Sequence, residues 1–314
     1  MKRIISFVFS LIIIALLIYI IWNVNFYEVY LLLAKANLFW FFLAVLAMFL
    51  TYVVWNIRWQ YIFRPILKGD FFFFLYVLFA GAFISTVTPA AGIGGDPFRA
   101  YYLAKKYNKP KSMMLGYVLG DSFFKMAVFA FFIVFSIFFV LIFVNISDHL
   151  KLILQLILVF VLISIGIILF LILKKFHFKL GVLFKKLYHL RFIKNNFKDE
   201  EDFLNYIDNK LKGILTSFRG VVRNKKNLFF GTFLSIIFWI LHYFVAYFLF
   251  LSFGYHVHFF QVMIVVTLAW AIGSFSIIPG GVGVIEAGMT LLYSVMGIPL
   301  PLALQPYTVP NATR

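Results

Sequence analysis

The stretch FFFFLYVLFAGAFISTVTPAAGIGGD, residues 71–96, decides the fold of this chain. Its first part, 71–90, is apolar enough to enter a bilayer, yet it runs directly into Pro89 and three closely spaced glycines. Proline removes a helical hydrogen bond, and glycine lowers helix propensity. Irregular backbone at membrane depth is tolerated only where protein buries it or where it lines a polar cavity. The stretch therefore predicts a membrane helix that breaks inside the protein.

The rest of the chain is as apolar as this stretch. Of the 314 residues, 64% are hydrophobic and 12% are charged, and the mean hydropathy is +1.01. Soluble domains are only about 45–50% apolar and about 25% charged. The fold class predicted is an all-α, polytopic integral membrane bundle forming one domain, 1–314. Segments that suit a complete crossing are 4–22, 38–57, 112–143, 151–173 and 228–250, and two more apolar stretches, 71–90 and 259–278, end in glycine and proline.

The distribution of charge predicts how the chain is threaded. The formal net charge is +17, and the basic segment 96–111 carries five bases and one acid, whereas 174–226 carries fourteen bases and five acids. If 71–90 crossed the bilayer completely, both basic segments would lie outside, against the positive-inside rule. If 71–98 enters and returns, every basic segment is cytoplasmic. The prediction is thus a re-entrant segment at 71–98 in a multi-pass protein of the cell membrane, with a cytoplasmic N-terminus and 4–22 as an uncleaved first span.

A second glycine cluster resembles the first. Asp96 follows Pro89, and Glu286 follows Pro279, by seven positions, with three glycines between the proline and the carboxylate. By the same threading, the second cluster is entered from the outside. Paired interrupted segments of opposite direction are typical of inverted repeats and point to a transporter's binding site. The alternative is chance, because glycine and proline are both common in membrane helices.

The segment 174–226 connects the two halves. Its apolar residues recur at helical spacing from Leu204 to Val222, with bases nearby and Asp199 to Asp202 at the start. We interpret it as a cytoplasmic, basic amphipathic helix on the anionic inner leaflet. Because membrane topology explains the positive charge, no nucleic-acid partner is expected.

Three motifs together resemble one known family. They are N-I-R-W-Q-Y-I-F (56–63), T-P-A-A-G-I-G-G-D-P-F-R-A-Y-Y-L-A-K-K (88–106) and P-G-G-V-G-V-I-E-A-G (279–288). In order and spacing they resemble the lysylphosphatidylglycerol synthase transmembrane (flippase-like) family. The resemblance implies a protein that moves lipids between leaflets. No soluble domain follows residue 300, so the resemblance is expected to be to members without the fused C-terminal aminoacyltransferase domain. The prolines after 299 leave a truncated C-terminus open.

The sequence departs from the family pattern at three places. Asp96 stands where the family often has glutamate, and Ile285 where it often has arginine. Gly120 to Lys125 stands where the family often has a Glu-Arg pair, so a phosphate contact by an arginine there is in doubt.

The broken helices supply the candidate binding residues. Backbone N–H groups left free at a break can bind phosphate, glycines allow its close approach, and arginine matches phosphate geometry. The alternative is that Arg99 only anchors its helix at the interface while Asp96 caps it. Glu286 would meet a cation, a proton or a base such as Arg99, because a carboxylate within the membrane is costly. The hypothetical substrate-binding set is Pro89, Gly92, Gly94, Gly95, Asp96, Arg99, Pro279, Gly280, Gly281, Gly283 and Glu286.

Asp121 and Lys125 are predicted to form an intramembrane ion pair, because residues four apart share one helix face. No covalent catalytic motif, metal site or cofactor is expected, and a homo-oligomer stays open. The function expected is a lipid translocase (flippase) for a phospholipid or lipid-linked headgroup. Its rivals are a transporter of a small anionic solute and an enzymatic or accessory subunit of membrane lipid synthesis.

Overall fold

The computed structural model describes residues 30, 34–88, 94–144, 146–173, 188, 197, 199–276, 278–281 and 283–296, with side chains in 168–173 and at 279 excepted. The predicted first span, 4–22, lies outside this part, as do most of 174–198 and the proline-rich end after 299. Pro89 and Gly92 of the first glycine cluster also lie outside it.

The described residues form α-helices and one 3-10 turn, with no strand among them. Four of these helices are long and apolar enough to cross a membrane: Leu38–Phe63, Lys111–Phe143, Asp148–Ile167 and Lys225–Ser252. Three shorter helices are also apolar: Phe71–Val87, Phe259–Ser274 and Val284–Val295. The predicted class, a polytopic helical membrane protein, is confirmed. The elements are α1 (Leu38–Phe63), α2 (Phe71–Val87), α3 (Gly95–Tyr107), α4 (Lys111–Phe143), α5 (Asp148–Leu173), α6 (Glu200–Arg223), α7 (Lys225–Ser252), α8 (Phe259–Ser274), the 3-10 turn (Pro279–Gly281) and α9 (Val284–Val295).

The centre of the bundle consists of α1, α4 and α7. The Asn37 N–H before α1 donates to the Ser252 carbonyl at the end of α7, 2.7 Å away, so these two helices are antiparallel. The rings of Phe129 and Trp239 stack with centroids 4.3 Å apart where α4 and α7 run side by side. We call the end where α1 finishes and α4 and α7 begin the basic end, and the opposite end the neutral end. Lys111 and Lys225 mark the former.

Helices α2 and α3 form a hairpin, here called the first hairpin. Asp70 before α2 lies 3.8 Å from the Lys106 ammonium near the end of α3. Near the turn, a side-chain carbon added at Gly95 would meet the Ser85 hydroxyl and the Gly81 carbonyl. The two arms are therefore antiparallel, and the hairpin opens at the basic end. At 17 residues, α2 is about 25 Å long.

Helices α8 and α9 form the second hairpin, with the 3-10 turn between them. A carbon added at Gly288 on α9 would lie 3.6 Å from the Ala269 backbone on α8. At the open end of this hairpin, Gln261 and Met296 line a cleft together with Phe143 at the end of α4. The second hairpin thus opens at the neutral end, opposite to the first.

Helix α6 is the predicted amphipathic helix, and the structure places it against α4. A carbon added at Gly116 would lie only 2.6 Å from the Ser217 Cβ, and one at Gly120 would lie 2.6 Å from a methyl carbon of Val221. Val221 and Val222 are buried, whereas Lys210 is exposed. Part of the apolar face is therefore covered by protein rather than by lipid, because small residues on α4 allow a close approach. Contact of the remaining surface with an anionic leaflet stays a prediction.

Candidate functional site

A buried ion pair joins α1 to α4. The Arg58 Nε donates to one Asp121 oxygen at 2.7 Å, and its Nη2 donates to the other at 3.1 Å. The Arg58 Nη1 donates to the Ser235 hydroxyl on α7 at 2.7 Å, while the Trp55 indole N–H also donates to Asp121, at 3.1 Å. Both charged side chains are at most 1% exposed. Every nitrogen of Arg58 therefore has an acceptor, as a charge buried in a membrane protein requires.

This geometry corrects the predicted pair of Asp121 with Lys125. No carboxylate of the described residues lies within 4 Å of the Lys125 ammonium. Instead Lys125 lies over the Trp55 ring, 4.5 Å from its centroid. Spacing along one helix permits the predicted pair, but a guanidinium from a neighbouring helix offers two parallel hydrogen bonds at once.

Sequence reasoning also missed Arg58 itself. The second span was expected to end at residue 57, so that Arg58 counted among the cytoplasmic loop charges. The helix continues to Phe63, and Arg58 is fully buried. The signal available was its position between Trp55 and Trp59, since a base within an aromatic, apolar helix favours an intramembrane partner.

A second pair lies in the first hairpin. Arg99 on α3 is bound through its Nη2 to Asp96, and the other oxygen of Asp96 accepts a hydrogen bond from the Ser122 hydroxyl on α4 at 2.9 Å. The Arg99 side chain is only 3% exposed. It lies over the Trp55 ring at 4.8 Å and near the Trp59 ring at 5.6 Å. Arg99 therefore points into the bundle, so the alternative of a simple interfacial anchor is wrong.

Arg99 keeps unused hydrogen-bonding capacity. Its Nε and Nη1 are buried without a partner, and so is the indole nitrogen of Trp59. Buried donors normally find an acceptor, and a missing one costs about 1–3 kcal/mol or more for a charged group. These unpaired donors lie together beneath the first hairpin, where an acceptor would satisfy them.

The charges of this region do not balance. Arg58, Arg99 and Lys125 provide three positive charges, whereas Asp96 and Asp121 provide two negative ones. Lys125 and Arg99 lie over the same Trp55 ring, whose indole N–H donates to Asp121. We call these five residues, together with Trp55, the charged cluster. An anion bound among them would neutralise its excess positive charge.

The described glycines of the first cluster hold the two arms of the hairpin together. The Gly94 N–H donates to the Thr88 hydroxyl at 3.3 Å, and Gly95 leaves no space for a side chain beside Ser85. In this arrangement the two glycines close the turn. They bring Asp96 and Arg99 to the bundle, and contact of these glycines with a ligand stays a prediction.

The second glycine cluster makes a tight turn. Gly280, Gly281 and Gly283 all have positive φ angles, of 65°, 67° and 82°, which glycine adopts without strain. The Glu286 carboxylate accepts a hydrogen bond from the Gly283 N–H at 2.6 Å, so it caps α9. Glu286 is exposed. The suggested pairing of Glu286 with Arg99 is wrong, because Asp96 is the acid that Arg99 binds.

Residues 3–305 match the family described as "Lysylphosphatidylglycerol synthase TM region". The chain belongs to this family. The resemblance of the three motifs is thereby confirmed, and the match covers both hairpins and the charged cluster of this family member. Together with its apolar helices, the match identifies a multi-pass membrane protein.

Three relatives of the chain are UPF0104 membrane proteins. A UPF0104 membrane protein of Methanocaldococcus jannaschii is 29% identical over 72% of this chain and 66% of its own length. A UPF0104 membrane protein of Pyrococcus horikoshii is 22% identical over 72% of this chain and 68% of its own length. Another, of Methanothermobacter thermautotrophicus, is 25% identical over 71% and 65%. The alignments thus span about two thirds of each relative. No solved structure matches the chain.

A cleft and the distribution of potential metal ligands offer weaker candidate sites in this family member than the charged cluster does. A cleft of about 360 Å³ lies at the neutral end, but Gln261 is the one polar side chain among its six lining residues. Within the described part of the chain, no group of three or more His, Asp or Glu side chains could hold a metal ion. The charged cluster is therefore the candidate functional site.

Proposed function

We propose that this chain is a lipid translocase, which moves a phospholipid or lipid-linked headgroup across the cytoplasmic membrane. The observation that carries the proposal is Arg99: a guanidinium that is 3% exposed and has two nitrogens without an acceptor. Its location on a broken helix is typical of transporter binding sites.

A phosphate suits these donors. The Arg99 Nη2 donates a hydrogen bond to Asp96, while the Nε and Nη1 are buried without an acceptor. When Asp96 releases Arg99, the planar guanidinium can bind two phosphate oxygens side by side. Asp96 keeps a partner throughout, because the Ser122 hydroxyl also donates to it. When a phosphate replaces the carboxylate at Arg99, both Arg99 and Asp96 therefore keep a hydrogen-bond partner.

The exposed face of α2 favours a lipid over a soluble anion. Phe72, Tyr76 and Phe83 are 78%, 63% and 62% exposed and lie on the face of α2 away from the bundle. Aromatic side chains exposed in this way suit a hydrocarbon environment. A headgroup could thus reach Arg99 past the first hairpin while its acyl chains stay among the aromatic side chains of α2.

The two hairpins suit an alternating mechanism. In this proposal the basic end is cytoplasmic, and each hairpin is re-entrant, one from either side of the membrane. Inverted repeats of this type expose a central site to the two sides in turn by rocking one half against the other. The hairpin turn would move away from α1 and α4 to admit the headgroup.

Reconstitution tests the proposal. Purified protein is placed in liposomes containing phosphatidylglycerol with a fluorescent acyl chain, and the fraction that an external quencher reaches is followed with time. We expect the parent protein to move the probe, and Arg99→Gln to slow it by about tenfold or more, the effect expected for hydrogen bonds to a charged group. Mass spectrometry of the recovered lipid should show no covalent change.

The matched control is Arg64→Gln, which removes an exposed base at the basic end. It should flip lipid at the parent rate. Thermal stability in detergent is measured for both variants, so that misfolding is distinguished from loss of a ligand contact. Parent liposomes no faster than protein-free ones, or Arg99→Gln as fast as the parent, would contradict the proposal.

A further inference from the structure

We infer that the cargo is a phosphodiester headgroup with one net negative charge, and that Lys125 is the residue that selects it. This inference rests on the proposed function and names its substrate class. The headgroups in question are those whose phosphate is the only charged group, so that the remainder of the headgroup is neutral. Zwitterionic and aminoacylated cationic headgroups would be disfavoured.

The charges of the cluster pair with one another, except for that of Lys125. Arg58 and Asp121 neutralise one another, and all the Arg58 nitrogens have acceptors. Arg99 and Asp96 likewise neutralise one another. Lys125 remains, with no carboxylate of the described residues within 4 Å. The cluster therefore lacks a single negative charge, which a monoanionic phosphodiester would supply.

The Lys125 ammonium lies close to the Arg99 guanidinium, against the same aromatic ring. It lies 4.5 Å from the centroid of the Trp55 ring, and the Arg99 guanidinium lies 4.8 Å from the same centroid. Both bases thus contact one indole, and a small anion beside that indole is within reach of both. A cation against an aromatic face gains about 0.5–2 kcal/mol, less than a buried ion pair with hydrogen bonds offers. Lys125 therefore has more to gain from a phosphate than from the indole it already contacts.

The acidic side chains of the region already accept hydrogen bonds, and this decides whether they can bind a positively charged headgroup. Asp121 already accepts hydrogen bonds from Arg58 and from the Trp55 indole. Asp96 is bound by Arg99 and Ser122. On the second hairpin, Glu286 is engaged by the Gly283 N–H. When Arg99 turns to the phosphate, Asp96 keeps the Ser122 hydroxyl as its donor. One phosphate makes the cluster neutral, so an additional ammonium would add an uncompensated positive charge and would be repelled by Lys125. The same cluster that accepts a phosphate therefore rejects an amine.

The experiment measures selectivity in liposomes that contain one of three acyl-labelled probes. Phosphatidylglycerol carries one negative charge, phosphatidylcholine is zwitterionic, and lysyl-phosphatidylglycerol carries a net positive charge. We expect the parent to move phosphatidylglycerol about tenfold faster than either of the other two, as one added charged hydrogen bond predicts. Lys125→Gln should bring the ratio of phosphatidylglycerol to phosphatidylcholine close to one, mainly by slowing phosphatidylglycerol.

Two further variants separate charge from structure. Lys125→Arg keeps the positive charge and should keep the selectivity of the parent. Lys111→Gln removes an exposed base at the basic end and should leave the ratio unchanged. A merely structural role of Lys125 would change the rates of all three probes together.

The outcomes distinguish the inference from the proposed function. If the parent moves no probe, the proposed function fails. If the parent moves all three probes at equal rates, translocation stands and the inference is overturned. It is also overturned if the parent prefers phosphatidylglycerol but Lys125→Gln keeps that preference. Because the parent's own ratio is one of the tests, the inference stays open to refutation even if Lys125→Gln fails to fold.

Discussion

In the first hairpin a glycine of α2 accommodates the side chain of Arg99, whereas in the second hairpin a glycine of α8 accommodates the side chain of Ile285. A carbon added at Gly81 would lie 2.5 Å from the Arg99 Cγ, and one added at Gly273 would lie 2.3 Å from the Ile285 Cγ1. The same device, a glycine on the first arm that admits a side chain from the second, thus closes both hairpins. The side chain admitted is that of a base in the first hairpin and that of a hydrocarbon residue in the second.

The surroundings of the two hairpins differ in the same way, since those of the first are charged and those of the second are mainly apolar. The first hairpin adjoins the charged cluster through the Ser122–Asp96 hydrogen bond. The second adjoins α7 through a hydrogen bond between Thr267 and the Tyr243 hydroxyl, 2.8 Å long, and through apolar contacts. The two hairpins thus share a glycine contact between their arms and differ in the side chain at that contact. In the proposed function, this side chain decides which hairpin can bind a charged headgroup.

The largest difference in the free energy of unfolding should appear when a polar contact beside each hairpin is removed. Asp121→Ala leaves Arg58 buried without its carboxylate, so we expect a loss of about 3–5 kcal/mol in the free energy of unfolding. Thr267→Val removes one neutral hydrogen bond at the second hairpin and should cost about 0.5–1.5 kcal/mol. Unfolding in mixed detergent micelles would measure both. Equal losses would mean that the two hairpins rest on equivalent supports.

The glycine contacts should show an effect of intermediate size. Gly81→Ala and Gly273→Ala each overfill a close contact and should cost about 1–3 kcal/mol. Shortening the opposing side chain should relieve both, so that the double variants Gly81→Ala/Arg99→Ala and Gly273→Ala/Ile285→Ala lose less stability than their two single variants added. Only the second double variant should still move lipid in liposomes. Retained translocation by the variant lacking Arg99 would contradict the assignment of chemistry to the first hairpin.

The smallest effect is expected at Glu286. Because its carboxylate caps α9 through the Gly283 N–H, Glu286→Gln keeps an acceptor oxygen and should change stability by a few tenths of a kcal/mol at most, whereas Glu286→Ala should cost about 0.5–2 kcal/mol. Lipid translocation by Glu286→Gln should equal that of the parent. Loss of translocation with unchanged stability would instead assign a charge role to Glu286 and make the two hairpins chemically alike.

The sequence was sufficient to predict both breaks. A proline with three glycines directly after an apolar stretch predicts where α2 ends, and the helix does end at Val87 and resume at Gly95. The alternation of basic and neutral segments predicts a re-entrant segment at 71–98. Asp70 and Lys106 lie beside one another, which gives the hairpin that such a segment needs, while its entry into the membrane from the cytoplasm stays a prediction. The position of the break could be predicted because backbone breaks depend on local sequence.

The partners within the charged cluster could not be predicted in the same way. Asp121 and Arg58 are 63 positions apart, and only the packing of α1 against α4 brings them together. The pair expected from spacing, Asp121 with Lys125, loses to a partner with better geometry on another helix. The docking of α6 was missed for a related reason, since an amphipathic pattern shows that a face is apolar but not whether lipid or Gly116 and Gly120 will cover it.

The contact between α6 and α4 also bears on how the protein is made. Because α4 leaves the ribosome well before α6, the shallow groove of Ser112, Gly116 and Gly120 has no occupant while the connecting segment is being synthesised. The groove is filled when Gly213, Ser217 and Val221 arrive from the second half. Completion of the bundle is thus coupled to translation of the second half, and a ribosome that stops before α6 would leave a nascent chain with this glycine-lined surface uncovered and open to quality-control proteases.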